Sequence, residues 1–219
     1  MESKILIIRH GITEGNKKKW FYGATDIGLS EEGIIELEEQ RNSGFYPDVP
    51  EDAKFFTTGM KRTEETLGIL FGDVEHGRIT DMKEMNFGDY ECRAFDSLKD
   101  DEAFLEWGYD QTGEIKLPNA ESRNEFRERT IRGGKRLIDE HIASNTPMTV
   151  MICHGGVISS FMDHLFGDGR SMWDWMPEPG CGYEIFLMDG KPVKYKAIGR
   201  IGDNLQTVID EYESENEGK

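Results

Sequence analysis

Two stretches of this chain end a run of apolar residues in a histidine and a glycine. Ile5-Leu6-Ile7-Ile8 opens into Arg9-His10-Gly11, and Met148-Thr149-Val150-Met151-Ile152-Cys153 opens into His154-Gly155-Gly156. A short β-branched run that empties into a cation, an imidazole and a glycine reads as a buried strand ending in a tight polar loop. An imidazole held there beside Arg9 has the chemistry of a nucleophile that accepts a phosphoryl group. The plain alternative for a lone strand-end histidine is a surface or capping role. Arg62 adds a third signal, because it falls in the first turn of an expected helix. A cation at that positive end of the helix dipole is unfavourable unless an anion is bound beside it, the alternative being an exposed arginine tolerated at small cost.

The elements that must position these groups follow from periodicity. Thr13 to Asp26 shows no clear period and reads as a long loop. Ser30 with Glu31-Glu32 starts a helix that continues through Ile34, Leu37 and Arg41 and closes at Gly44 and Pro47. Lys54 to Thr58 is a second strand, turned by Gly59 into a helix over Met60 to Phe71. Asp81 to Glu91 reads as an active-site loop or lid, Ala94 to Trp107 as a helical insertion over the cleft. Glu121 to Ile142 is the longest helical stretch, although Gly133-Gly134 lowers local propensity by roughly 1 kcal/mol each. Val157 to Phe166 forms a further helix. Tyr183 to Met188 and Pro192 to Ile198, joined at Asp189-Gly190, form a hairpin near the sheet edge. From Asp203 the chain is strongly acidic. Leu205, Val208 and Ile209 offer some surface for docking, and Glu213 to Lys219 has almost nothing to bury.

With 219 residues the chain fits one globular domain, over 1–201, followed by an acidic tail over 202–219. A formal net charge of -17 disfavours nucleic acid and anionic membranes as partners, and Lys17-Lys18-Lys19 is the only basic run. Three widely spaced cysteines, Cys92, Cys153 and Cys181, form neither a disulfide framework nor a metal pattern, and the first apolar run is too short for a signal segment or membrane span. These features point to a cytoplasmic protein.

In a mainly parallel α/β sheet, the loops after these strands share one carboxyl edge, so His10, His154 and Arg62 would converge there. At this point the chain resembles the histidine phosphatase superfamily, in its phosphoglycerate mutase-like branch. The resemblance is carried by Arg9-His10-Gly11-Ile12-Thr13-Glu14-Gly15-Asn16, by Asp26 with Leu29-Ser30 and Gly33, and by Arg62-Thr63-Glu64-Glu65-Thr66. It continues through Glu84-Met85-Asn86-Phe87-Gly88-Asp89-Tyr90-Glu91, Glu121-Ser122 and His154-Gly155-Gly156. It implies a three-layer sandwich, a mainly parallel sheet flanked by helices, with a helical insertion over the cleft.

The resemblance also implies roles. His10 would attack phosphorus in line and carry a phosphohistidine, while Arg9, Arg62, Asn16 and His154 hold the equatorial oxygens. Glu84 would protonate the leaving oxygen and then activate water. Tyr22 and Gly23 would line the same pocket through backbone contacts, and no metal or cofactor is required. Asp89 and Glu91 are nearby acids that compete with Glu84 for the proton role. Cys153 is read as a small residue at a buried strand end. Trp173 and Trp175 with Met172 and Met176 serve core or lid packing, with an apolar leaving-group wall as the alternative.

Three departures bear on the substrate. Ile12 stands where relatives commonly have Glu or Gln, Trp20 and Tyr22 where many have Arg and Gln, and Asn119-Ala120 replaces a glycine. A less polar rim suits a leaving group less charged than phosphoglycerate. Asp96 to Ala120 contains only Lys99 and Lys116 as cations, whereas related mutases carry paired arginines in their inserted segment. The expected function is therefore a phosphomonoesterase acting on a small phosphorylated metabolite, ahead of a cofactor-dependent phosphoglycerate mutase. A non-catalytic phospho-ligand binder is the third reading.

Overall fold

The computed structural model describes residues 2–202. In chain order its main elements are β1 (Glu2–Arg9), α1 (Glu14–Lys17), β2 (Trp20–Phe21), α2 (Glu31–Asn42), β3 (Lys54–Thr57), α3 (Lys61–Phe71) and β4 (His76–Arg78). They continue as β5 (Arg93–Ala94), α4 (Glu102–Tyr109), α5 (Arg123–Ser144), β6 (Met148–Cys153), α6 (Gly155–Phe166), β7 (Gly182–Met188) and β8 (Lys191–Ile198). Six strands form one sheet in the order β4-β3-β6-β1-β7-β8. The first four are mutually parallel, and the expected hairpin β7-β8 closes the β1 side with antiparallel pairing.

The alternation of β1 builds the three layers. Ile5 and Ile7 pack with Leu137 of α5 and Val157, Ile158 and Phe161 of α6, whereas Leu6 and Ile8 pack with Leu37 of α2 and Leu67 and Leu70 of α3. β6 does the same, and all six of its residues are buried. Burial on both faces is what a continuous apolar strand requires, and each such aliphatic side chain contributes roughly 2 kcal/mol. The glycine pair in α5 is explained by packing. A Cβ on Gly134 would lie 2.2 Å from the Phe161 ring, and one on Gly133 would lie 2.7 Å from Met82. The helix accepts their low propensity because α6 and the turn at Met82 approach that closely.

Several local expectations are corrected. Thr13 to Asp26 is not wholly irregular: Thr13 caps α1 in a reciprocal box with Asn16, and Trp20–Phe21 pairs with Arg93–Ala94 in a two-stranded ribbon. Ala94 to Trp107 is not one helix. A single 3-10 turn at Phe95–Ser97 precedes α4, which starts where Asp101 accepts the Phe104 N–H and the Tyr90 hydroxyl. The apolar residues there instead feed an aromatic cluster in which Phe21, Phe87, Phe104 and Trp107 meet edge to face or tilted, at centroid distances of 5.0 to 6.4 Å. β4 has no apolar pattern that would announce it. The acidic tail expected from Asp203 lies outside the described residues, and none of the described helices is long and apolar enough to cross a membrane.

Candidate active site

The sheet order sets the site. β3, β6 and β1 lie side by side, and the register pairs Arg9 with Cys153, so the residues that follow them, His10 and His154, emerge together. Their ring centroids are 5.3 Å apart. The His10 N–H donates to Cys153 O at 3.0 Å, and the amide of Gly180 donates to the carbonyls of Arg9 and His10. Thr66 accepts the Gly11 N–H at 3.0 Å while its hydroxyl donates to Arg62 O.

Hydrogen bonds fix the protonation pattern of both rings. His10 Nδ1 lies 2.8 Å from Gly11 O, and a carbonyl only accepts, so Nδ1 carries the hydrogen and Nε2 keeps its lone pair. Arg62 Nε donates to His154 Nδ1 at 3.3 Å, which places the His154 hydrogen on Nε2, 3.0 Å from the Thr58 hydroxyl. Thr58 can then donate to Thr63, whose own hydroxyl donates to Met60 O. Burial first, and the charges of Arg62 and its neighbours second, push both imidazoles well below their ordinary value. Both are neutral at pH 7.

Arg62 is fully buried, and burial also lowers the acidity range of its guanidinium. Its NH2 and NH1 donate to the carbonyls of Gly23 (2.8 Å) and Thr25 (2.9 Å), and it lies 5.1 Å over the Tyr22 ring. Arg9 NH1 donates to Pro177 O at 2.8 Å, and its buried Nε has no partner. Among the described residues neither arginine lies within ion-pair distance of a carboxylate. Two such guanidiniums, one of them fully buried, make a pocket suited to an anion with several oxygens.

Glu84 borders this pocket at the start of α6. Its carboxylate accepts the amides of Met85 (2.9 Å) and Gly156 (3.0 Å), and a Cβ on Gly156 would approach Oε1 to 2.6 Å. Asn16 Oδ1 is taken by Thr13 and by the Tyr22 hydroxyl, so the hydrogen-bonding capacity left on its side chain is the Nδ2 donor pair. Burial raises the Tyr22 phenol, which also contacts the Thr13 hydroxyl at 2.6 Å.

The structure thus gathers Arg9, His10, Arg62, Glu84 and His154 at one edge, with Asn16 and Tyr22 as a linked pair beside them. Gly23 differs: its N–H donates to Glu91, and only its carbonyl faces the site residues, through Arg62. Glu91, weighed as a rival acid, instead accepts the amides of Gly23, Ala24, Thr25 and Phe87 and the Thr25 hydroxyl. It holds the loop whose carbonyls hold Arg62. Thr58 escaped notice in the sequence, where tandem hydroxyls at a strand end were its only signal. Trp175 is core, packed on Tyr183 and Tyr195, and the buried Cys153 thiol is pushed well up by burial.

Comparison with known proteins shows the family and the fold. Residues 5–199 match the model of the histidine phosphatase superfamily (branch 1). A phosphoglycerate mutase of Schizosaccharomyces pombe is 27% identical over 173 residues, covering 74% of this chain and 79% of that protein. An adenosylcobalamin/alpha-ribazole phosphatase of Salmonella typhimurium is 26% identical over 192 residues, covering 85% and 92%. The crystal structure of the alpha-ribazole phosphatase from Shigella flexneri superposes with a TM-score of 0.76 at 24% identity, covering 91% of this chain and 98% of that one.

Proposed function

Since this chain belongs to the histidine phosphatase superfamily, we propose that it is a phosphomonoesterase that forms a phosphohistidine on His10 while hydrolysing a small phosphorylated metabolite. The observation that carries this reading is the His10 ring, neutral, with Nδ1–H committed to Gly11 O and the Nε2 lone pair left over beside two guanidiniums free of carboxylates. Nε2 attacks phosphorus as the ester oxygen departs on the opposite side, so the P–O bond breaks as the P–N bond forms. We assign Arg9, Arg62 and Asn16 to the equatorial oxygens, with His154, both of whose nitrogens are engaged, orienting Arg62, and with Tyr22 and Gly23 supporting them through the Arg62 loop. Glu84 gives a proton to the leaving oxygen, then takes one from the water that cleaves the P–N bond. Burial keeps the nucleophile unprotonated at neutral pH, which is the form the attack requires.

Hydrolysis is favoured over mutase exchange by the insertion. Between Asp96 and Ala120 its cations are Lys99 and Lys116, of which Lys116 bonds Glu125, and the flanking Arg93 and Arg123 face Asp101 at 3.9 Å and Asp110 at 3.6 Å. The insertion itself thus carries no paired arginines to grip a second acid group on the substrate. The three cysteines are free thiols, which supports a cytoplasmic location. The test is to incubate the protein with several phosphomonoesters, with and without 2,3-bisphosphoglycerate, following free phosphate, exchange between 2- and 3-phosphoglycerate, and acid-labile phosphoenzyme. Phosphate release and phosphoenzyme that vanish in His10→Ala are expected. Exchange far exceeding hydrolysis would make it a mutase, and no turnover with any ester would make it a binder.

A further inference from the structure

We infer that Arg129 and Glu121 form a clamp that positions Glu84 and thereby sets how well it donates its proton. This rests on the reading of Glu84 as the acid and base of the reaction. Arg129 lies in α5, outside the converging loops, and its guanidinium grips the chain on either side of Glu84. NH1 donates to the carbonyls of Asp81 (2.8 Å) and Lys83 (2.7 Å), and NH2 to the carbonyl of Glu84 itself (3.2 Å). The same fork holds Glu121, through Nε to Oε2 at 3.0 Å and NH2 to Oε1 at 2.5 Å. Glu121 Oε1 then accepts the Asn86 N–H at 2.8 Å, and the Glu121 N–H donates to Asn86 O.

The segment from Asp81 to Asn86 therefore has three carbonyls on Arg129, and one amide and one carbonyl on Glu121. Beyond the single turn Thr80–Met82 it has no regular structure of its own to fix it. Among the described residues the Glu84 side chain is hydrogen-bonded by two backbone amides, so the placement of its backbone decides where the carboxyl sits. Only a planar fork with several donors in fixed directions can serve five acceptors in this way, and a lysine cannot. None of the clamp's hydrogen bonds reaches His10, His154, Arg9 or Arg62. Its positive charge is felt by His154, so a fair test retains that charge.

The experiment measures kcat/KM and the phosphoenzyme burst for unaltered protein, Arg129→Lys and Glu121→Gln, each also in a Glu84→Gln background. Two esters are compared: an alkyl phosphate, whose departing oxygen needs a proton, and 2,4-dinitrophenyl phosphate, whose departing oxygen does not. Arg129→Lys is expected to slow the alkyl ester by about 10- to 100-fold, part of what general acid catalysis supplies. The dinitrophenyl ester should change less than about threefold, and Glu84→Gln should abolish any further loss, since a positioning residue adds nothing once its target is gone. Glu121→Gln keeps an acceptor for Asn86 and carries the same expectation should the lysine variant fold poorly. Equal losses on both esters, or losses that persist without Glu84, would overturn the clamp alone. Failure of the unaltered protein to turn over either ester would overturn the phosphatase reading and the clamp with it.

Discussion

The carboxyl ends of β1 and β6 carry the same short pattern, a buried strand, a histidine and a glycine, yet their rings are held in opposite ways. His10 spends one nitrogen on the carbonyl of its own neighbour and keeps the other lone pair. His154 has both nitrogens engaged, one by Arg62 and one by Thr58. In the proposed mechanism this difference separates the nucleophile from a residue that orients charge, and it lies in the hydrogen bonds around each ring rather than in the motif. The glycines differ as well. A Cβ on Gly11 would strike Leu37 in the core at 2.5 Å, whereas one on Gly155 would meet the Arg9 guanidinium at 3.0 Å and one on Gly156 the Glu84 carboxylate at 2.6 Å. One strand end is braced against packing, the other against the groups of the site.

The sharpest way to break the comparison is to remove each ring in turn. His10→Ala should lower kcat/KM by about 10⁵-fold or more and abolish phosphoenzyme, while His154→Ala should cost about 10²- to 10³-fold and still give phosphoenzyme in a quenched burst. Phosphoenzyme that survives in His10→Ala, or is absent from His154→Ala, would reverse the two roles. The glycines come next. Gly11→Ala should lower stability by about 1–3 kcal/mol through overpacking against Leu37. Gly156→Ala should instead reduce kcat with little change in melting, because the atom it displaces is a carboxylate oxygen of Glu84.

The pH dependence of stability tests what the rings share. Both are depressed in the folded protein, His10 and His154 mainly by burial, and the buried His141 is depressed in the same direction. In the unfolded chain they titrate near 6.5, so as the pH falls through that value the unfolded state binds protons that the folded state refuses. Stability fully present above about pH 6.5 should be lost towards the depressed folded values, by up to about 1.4 kcal/mol per pH unit for each of the two site rings. Urea melts across that range should flatten by a similar amount in His10→Ala and His154→Ala, and a protein that gains stability on acidification would contradict it. The smallest effect belongs to Thr58→Val. Losing the acceptor of His154 Nε2–H should cost about 3- to 10-fold in activity and leave His10 untouched, which phosphoenzyme yield would report.

The sequence by itself determined the parts whose causes are local. The apolar runs of β1 and β6 are continuous because both faces of each strand are buried, Ser30 caps α2 through the Gly33 amide, and the Asp189-Gly190 turn closes the hairpin. His10, Arg62 and His154 stood out as candidates for the same reason, since residue types at strand ends and helix starts are local signals, whereas Glu84 was singled out only through the family resemblance. Tertiary structure alone decided what depends on partners distant in the chain. It divided Ala94 to Trp107 into a turn and a short helix, because its aromatics are needed by Phe21 and Phe87. It gave Glu91 four amides to accept, and gave Arg129 three carbonyls lying 45 to 48 residues earlier. Above all, the order β3-β6-β1 brought two similar histidines to 5.3 Å and gave them different neighbours. A ring's tautomer is set by what it touches, and no spacing within the chain encodes that.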